Sequence, residues 1–133
     1  MGRRVLVLSS IVAAALVALQ LLAQEGHPLS GTWHGEWHPA PGQKTSIVAY
    51  MKWDNKAIIG AINPGPRSMP LKSVTLDASL WTVHFEADGK DQAGNAVHVS
   101  AEGKMEDIGS YHRTISGTWT QSGVKGDFKI RRD

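Results

Sequence analysis

Residues 111–131 read YHRTISGTWTQSGVKGDFKIR, which is two alternating runs separated by Gln-Ser-Gly-Val. Alternation with a period of two is typical of strands that bury one face. Pairing the two runs antiparallel gives the register Ile115–Ile130, Gly117–Phe128 and Trp119–Gly126. His112, Thr114, Ser116 and Thr118 then fall together on the opposite face. An apolar and a polar face emerge from one register, which predicts a hairpin that packs one side on a core.

The same alternation recurs along the chain after residue 28, interrupted by Gly, Pro, Asn and Asp. It predicts strands at 30–38, 44–53, 57–63, 69–76, 80–86, 96–103, 111–120 and 125–131. The connections are short, so consecutive strands are expected to pair as antiparallel hairpins. Eight strands in simple succession favour an all-β, closed up-and-down barrel, because closure removes exposed edges. A two-sheet β-sandwich is the alternative fold.

Residues 1–23 have the layout of a secretory signal peptide, which predicts an N-terminal signal helix. Arg3 and Arg4 precede an apolar run, and Ala23 stands before a polar stretch. We expect cleavage after Ala23, which leaves 24–133 as a single barrel domain that is periplasmic or secreted. The apolar run is shorter than the roughly 20 residues of a membrane-spanning helix, so contact with the membrane is expected only during export. An uncleaved anchor is the alternative.

The composition excludes several classes of protein. The 133-residue chain contains no Cys, which excludes disulfides, thiolate metal sites and a cysteine nucleophile. Cleavage after Ala23 removes two Arg and no acid, so 14 Lys+Arg become 12, equal to the 12 Asp+Glu. A neutral mature domain without long basic runs gives no support for nucleic-acid binding.

Two further hairpins carry specific expectations. In strands 80–86 and 96–103 the predicted register pairs Trp81 with Ala101, Val83 with Val99, Phe85 with Val97 and, on the other face, His84 with His98. Strands 44–53 and 57–63 place Ile47, Ala49, Met51 and Trp53 on one face with Ile58, Gly60 and Ile62. Their outer face is also apolar and consists of Val48, Tyr50, Ile59 and Ala61. Such a patch predicts a homodimer contact, and scattered surface apolar residues are the alternative.

Gly31-Thr32-Trp33 on the first strand, with Arg at the end of the last, resembles the calycin-type barrels: lipocalins, fatty-acid-binding proteins and avidins. The resemblance implies that Trp33 closes one end of the barrel and that a C-terminal Arg lies across its ring. Arg132 shares the inward parity of Phe128, so it is the candidate for that cation–π contact. The segments Leu29–Trp37 and Gly126–Ile130 also resemble small exported bacterial proteins.

The end of the barrel opposite the N-terminus is expected to be the mouth, because the longer loops gather there. The aromatic residues Trp37, Phe85 and Trp119 are predicted near that end, with Ile62 beside them. A small apolar or amphipathic ligand held among them would leave Arg67 of the NPGPR loop free to meet an anionic group. A solid core is the alternative, because eight short strands enclose little more than their own side chains.

A metal site is a second candidate. His34, Glu36 and His38 alternate along the first strand, so their side chains share one face. Adjacent members lie about 6.8 Å apart along a strand, which allows a neighbouring pair to reach one ion. A solvated polar face is the alternative reading.

No catalytic or cofactor motif is present. Neither a Gly-x-Ser-x-Gly elbow nor a phosphate-binding glycine loop occurs, so the sequence predicts no enzyme and no cofactor. The function expected from the sequence is therefore binding of a small ligand or of an envelope partner, with metal binding or a purely structural interaction module as alternatives.

Overall fold

The computed structural model describes residues 27–133, and the predicted signal peptide lies outside the described residues. The strands are β1 Gly31–His38, β2 Thr45–Trp53, β3 Ile58–Ile62, β4 Met69–Asp77, β5 Thr82–Lys90, β6 Ala96–Glu106, β7 Thr114–Gln121 and β8 Val124–Arg132. Each strand pairs antiparallel with its sequence neighbours, and β1 pairs with β8 to close the barrel. The predicted up-and-down barrel is confirmed, and the sandwich is excluded. Within the described range no helix is long and apolar enough to cross a membrane.

The inward faces of the strands form one continuous apolar core. Trp33, Phe85 and Trp119 are at most 1% exposed, and no polar or charged residue of the described chain is fully buried. Burial of this apolar surface drives the folding of a domain that has no disulfide to stabilise it. The alternation seen in the sequence thus corresponds to an inside and an outside of the wall.

The β7–β8 hairpin has the predicted register, and β2 and β3 combine the predicted faces. In β7 and β8, Ile115 lies opposite Ile130 and Gly117 opposite Phe128. The two-residue turn Ser122-Gly123, with both residues at positive φ, fixes this register. Between β2 and β3, Met51 lies opposite Gly60, so these two residues share a face as predicted. The register of β7 and β8 is predictable because their turn is tight and the alternation extends up to it.

The predicted register of β5 and β6 is wrong. Phe85 lies opposite Ala101 and not Val97, because β5 continues through Gly89 to Lys90. The turn is only Asp91–Asn95, where the Asp91 amide donates to the Asn95 carbonyl at 3.0 Å. The shift is an even number of residues, so the inward and outward faces are unchanged.

The ends of these strands also differ from expectation. Trp81 belongs to the turn before β5, with φ 53°, and does not begin the strand. Residues 111–113 likewise precede β7 and do not belong to it. His84 faces Glu102 across the corrected register, and the predicted opposition of His84 and His98 is not formed.

The N-terminal segment closes the base of the barrel. Trp33 is completely buried, and its indole N–H donates to the Leu29 carbonyl at 2.8 Å. The Arg113 guanidinium donates to the Pro28 carbonyl at 3.0 Å. His27 stacks on Trp53 with ring centroids 5.3 Å apart. The residues before β1 therefore seal this end with apolar contacts and hydrogen bonds.

Arg132 also lies at the base, but its cation–π partner is not the predicted one. Its guanidinium carbon is 4.9 Å from the centre of the Tyr111 ring, and its Nε donates to the Tyr111 carbonyl. A Cβ added at Gly31 would lie 3.0 Å from Arg132 Cδ, so the aliphatic part of the side chain crosses the glycine. Arg132 contacts Tyr111, which the sequence pattern assigned to a strand and the structure places before β7.

Neighbouring strands approach so closely at several inward positions that no side chain fits. A Cβ on Gly35 would fall 2.7 Å from Ile130 Cα, and one on Gly117 would fall 2.6 Å from Gly103 Cα. Glycine at such positions allows the sheet to bend sharply and close into a narrow barrel.

The wall has one weakly paired seam, between β3 and β4. Only two residue pairs join these strands, Ala61–Pro70 and Ile62–Met69. On its other side, β4 pairs with β5 through a register shift between Leu71 and Ser73. Leu71, Val74 and Leu76 are only partly buried against the core.

We expect Gly117→Ala to lower the free energy of unfolding by about 2 kcal/mol, because overpacking at a rigid backbone contact has this cost. Gly109→Ala is the matched control, since nothing lies within 4 Å of a Cβ there. Urea denaturation of the two variants measures the difference. Equal stability of both variants would contradict the close-approach explanation.

Candidate functional site

The turns that follow β1, β3, β5 and β7 lie at the end of the barrel opposite the sealed base, and we call this end the mouth. A depression of about 430 Å³ lies there, between the β3–β4 loop and the β5–β6 turn. Its lining combines polar, cationic, acidic and apolar side chains: Asn63, Arg67, Met69, Lys90, Asp91, Val97 and Gln121. The mouth therefore has a concave surface of the kind that small ligands use.

Two cationic side chains, Arg67 and Lys90, border this depression. Arg67 and Lys90 form no ion pair with any residue in 27–133. The Asp91 carboxylate accepts from the backbone N–H of Asn95 at 2.9 Å through Oδ1 and from Asn95 Nδ2 at 3.4 Å through Oδ2, so both of its oxygens contact the turn. An electron-rich ligand would find positive charge and N–H groups here, with Met69 and Val97 as apolar contacts.

The structure separates the predicted ligand-binding residues into two groups. Trp37, Ile62, Phe85 and Trp119 are core residues, each at most 5% exposed, and only Arg67 is exposed at the mouth. The rings contact one another: the centroid of Trp119 lies 6.2 Å from that of Trp37 and 5.7 Å from that of Phe85. Phe128 completes the cluster at 5.6 Å from Trp119. The space between these rings is filled by the rings themselves.

The core is nevertheless connected to the mouth through one hydrogen bond. The indole N–H of Trp119 donates to Gln121 Oε1 at 3.1 Å, and Gln121 lines the depression. A change at the mouth can thus alter the surroundings of a buried indole, which makes Trp119 an internal reporter of binding there.

The predicted metal residues do not converge on one point. His34 Nδ1 lies 2.6 Å from Asp133 Oδ1, while His38 Nε2 lies 3.4 Å from Glu36 Oε1. Lys44 also approaches Glu36, at 3.9 Å. No set of three His, Asp or Glu side chains in residues 27–133 is arranged around a common centre. The side chains of β1 share a face, as expected, but they form separate pairs.

A denser group of titratable side chains lies on the outer face of β5 and β6, where the sequence analysis predicted only a histidine pair. His98 Nδ1 contacts Asp88 Oδ1 at 2.6 Å, and its Nε2 contacts Glu86 Oε1 at 3.2 Å. His84 lies between Glu86 and Glu102, at 3.7 and 3.2 Å. The corrected register and the strand parity place these residues together on one face. The sequence feature that could have revealed them lies in β5 beyond residue 86, where the predicted strand ended. We call these five residues the histidine–carboxylate network.

The network shifts the protonation of its members. The hydrogen bond to Asp88 raises the pKa of His98, and the same bond lowers the pKa of Asp88. Partial burial opposes ionisation of Glu86, but its hydrogen bond to His98 and the nearby His84 and His98 charges outweigh it and lower the pKa. The polar groups of β4 next to the network are Lys72, 3.8 Å from Asp88, and Ser73, 3.4 Å from Glu86.

The outer apolar patch is present as predicted. Tyr50 is 44% and Ile59 47% exposed, and Val48 and Ala61 are partly exposed beside them. Pro70 of β4 continues the row next to Ala61. Self-association through this face stays a prediction, because a lasting interface buries about 800 Å² per partner and a few side chains supply only part of that.

Comparison of the chain with family models, with curated proteins and with solved structures returns no match.

We expect the stabilisation contributed by His98 to be largest between the ordinary pKa values of glutamate and histidine, about 4.5 and 6.5. Below this range, stability is lost as the pH falls through the lowered pKa values of Glu86 and Asp88. Above it, stability is lost as the pH rises through the raised pKa of His98. Urea denaturation of wild type and His98→Gln across pH measures the difference.

His112→Gln is the control for this experiment, since His112 Nδ1 donates to the Arg132 carbonyl, outside the network. Its stability should follow the wild-type pH profile. A difference between wild type and His98→Gln that does not vary with pH would contradict the ionic role of the network.

We expect the average mass measured by light scattering to rise with the concentration of the wild-type protein. For Tyr50→Glu it should stay at the mass of the monomer, because a carboxylate in the patch must be desolvated on contact. Leu80→Glu, at an exposed position in the β4–β5 turn, is the control. A wild-type protein that is monomeric at every concentration tested would exclude a homodimer.

Proposed function

We propose that this protein is an exported β-barrel that binds a small amphipathic anion at its mouth. The depression between the β3–β4 loop and the β5–β6 turn is the site. Arg67 and Lys90 attract the anionic group, and Met69 and Val97 contact the apolar portion. The role is binding without catalysis, and it needs no cofactor.

One observation carries the proposal: Arg67 and Lys90, which form no ion pair within residues 27–133, border a concave surface that also has apolar lining. Coulomb attraction between such exposed groups and an anion is modest in water, but a concave site with apolar walls strengthens it. The combination supplies both parts of an amphipathic ligand with contacts.

Two other places on the molecule support ligand binding less well. The interior offers no space between Trp37, Phe85 and Trp119, because these rings are packed together. A larger groove of about 670 Å³ lies on the outer wall from β4 to β7, but its lining mixes Asp77 and Glu102 with Lys104. The mouth places two cationic side chains, Arg67 and Lys90, beside the apolar side chains of Met69 and Val97.

The resemblance to calycin-type barrels supports a binding role, since that architecture presents ligands at one open end while the other is closed. The signal-peptide pattern of residues 1–23 supports export to the periplasm or beyond. A protein partner on the Tyr50 face is the second candidate, favoured by the exposure of Tyr50 and Ile59. The two roles use different surfaces and are separable by mutation.

We expect anilinonaphthalene sulfonate, an anion with an apolar ring system, to bind saturably and to change the fluorescence of Trp119. Neutral N-phenylnaphthylamine should bind more weakly, and Arg67→Ala should weaken sulfonate binding up to about fivefold, the upper range for one exposed ion pair. Lys56→Ala removes the same charge at the opposite end and should have no effect. Binding should also weaken with added salt.

The absence of saturable binding to wild type would contradict the proposed function. Equal losses in Arg67→Ala and Lys56→Ala would show that the dye responds to overall charge and not to the mouth.

A further inference from the structure

The orientation of two side-chain amides at the mouth restricts which ligand group fits there. An amide has an acceptor oxygen and a donor NH₂, and a partner that can only donate fixes which end faces it. Gln121 and Asn63 both line the depression, and both meet such a partner. The hydrogen-bond partner of each amide therefore fixes which end is the oxygen and which is the NH₂ group.

A contact with the core fixes the orientation of the Gln121 side chain. The Trp119 indole N–H is a donor only and contacts Gln121 Oε1 at 3.1 Å, so the Nε2 group must point away from the indole. Trp119 is 1% exposed and held by the surrounding rings, so this donor does not move. Within residues 27–133, the hydrogen bond to Trp119 is the one that the Gln121 side chain forms, and it leaves Nε2 free to donate.

Contacts with β2 fix the orientation of the Asn63 side chain. The backbone N–H of Val48 donates to Asn63 Oδ1 at 3.0 Å, while the Asn63 N–H donates to the Val48 carbonyl at 2.6 Å. Asn63 adopts φ 51°, a conformation that asparagine tolerates better than most residues. Its Nδ2 group is therefore directed away from β2, and none of the described residues accepts from it.

We propose that Gln121 and Asn63 are specificity-determining residues that select an oxyanion, the carboxylate, sulfonate or phosphate group of a small molecule. This inference rests on the proposed function and deepens it. Arg67 and Lys90 supply attraction for any anion, whereas the two NH₂ groups require an acceptor at defined positions. A cationic or donor-rich ligand would find no acceptor among these four groups.

The test uses isosteric replacements that keep the structural hydrogen bonds. In Gln121→Glu a carboxylate oxygen still accepts from the Trp119 indole, and in Asn63→Asp one still accepts from the Val48 N–H. Each change replaces an NH₂ donor by an oxygen that repels an oxyanion. We expect each to lower the affinity for anilinonaphthalene sulfonate at least about tenfold, the range for hydrogen bonds to charged groups.

Gln92→Glu is the matched control, because Gln92 also lines the depression and gains the same charge. It should lower sulfonate affinity by only about twofold, the effect of an exposed charge without an oriented hydrogen bond. Neutral N-phenylnaphthylamine should bind all four proteins with similar affinity. The Trp119 indole resonance in an NMR spectrum reports whether the hydrogen bond to residue 121 persists.

The outcomes separate the two claims. If wild type binds the sulfonate and Gln92→Glu loses as much affinity as Gln121→Glu and Asn63→Asp, the assignment of the two amides is overturned while the mouth remains a binding site. If wild type does not bind the sulfonate, the proposed function fails and the specificity assignment fails with it.

Discussion

The closest backbone contacts of the barrel determine what the rest of the molecule can be. At Gly35 and Gly117 the neighbouring strand lies where a side chain would otherwise start, so the sheet can curl tightly enough for β1 to reach β8. A narrow barrel has a small interior, and the large rings of Trp33, Phe85 and Trp119 fill it. The same glycines that allow closure therefore lead to a solid core.

A solid core moves any binding function to the outside of the molecule. The base is closed by Leu29 and Trp33, the walls present alternating polar residues, and the mouth carries a depression bordered by Arg67 and Lys90. The hydrogen bond from Trp119 to Gln121 connects the interior with that surface. Rigid rings below and polar groups above give the mouth a preorganised floor, which limits the entropy lost when a ligand binds.

Much of the fold was predictable from residue order. Alternation gave the strands and their faces, and the tight Ser122-Gly123 turn fixed the last hairpin. The register of β5 and β6 was not predictable in the same way, since Asp88 and Gly89 are turn-forming residue types that here continue a strand. Only the pairing with His98 and Val97 shows that they belong to the sheet.

The candidate site was predictable only in part. Arg67 was identified because loops gather at one end of such a barrel, and the patch around Tyr50 because parity places it outside. The histidine–carboxylate network needed the corrected register, since His84 and His98 share Glu86 and do not face each other. Arg132 reaches Tyr111 and Asn63 is oriented by Val48, and both are three-dimensional contacts that no sequence period encodes.

The barrel is most weakly held together at the seam between β3 and β4. Separating these strands breaks only two residue pairs, whereas parting β5 from β6 would break nine. Pro70 and the bulge after Leu71 discourage a foreign strand from adding there. Solvent is therefore expected to enter the interior through a transient opening in the wall. The partly buried side chains of Val74 and Leu76 would then contact water before the aromatic rings below the mouth.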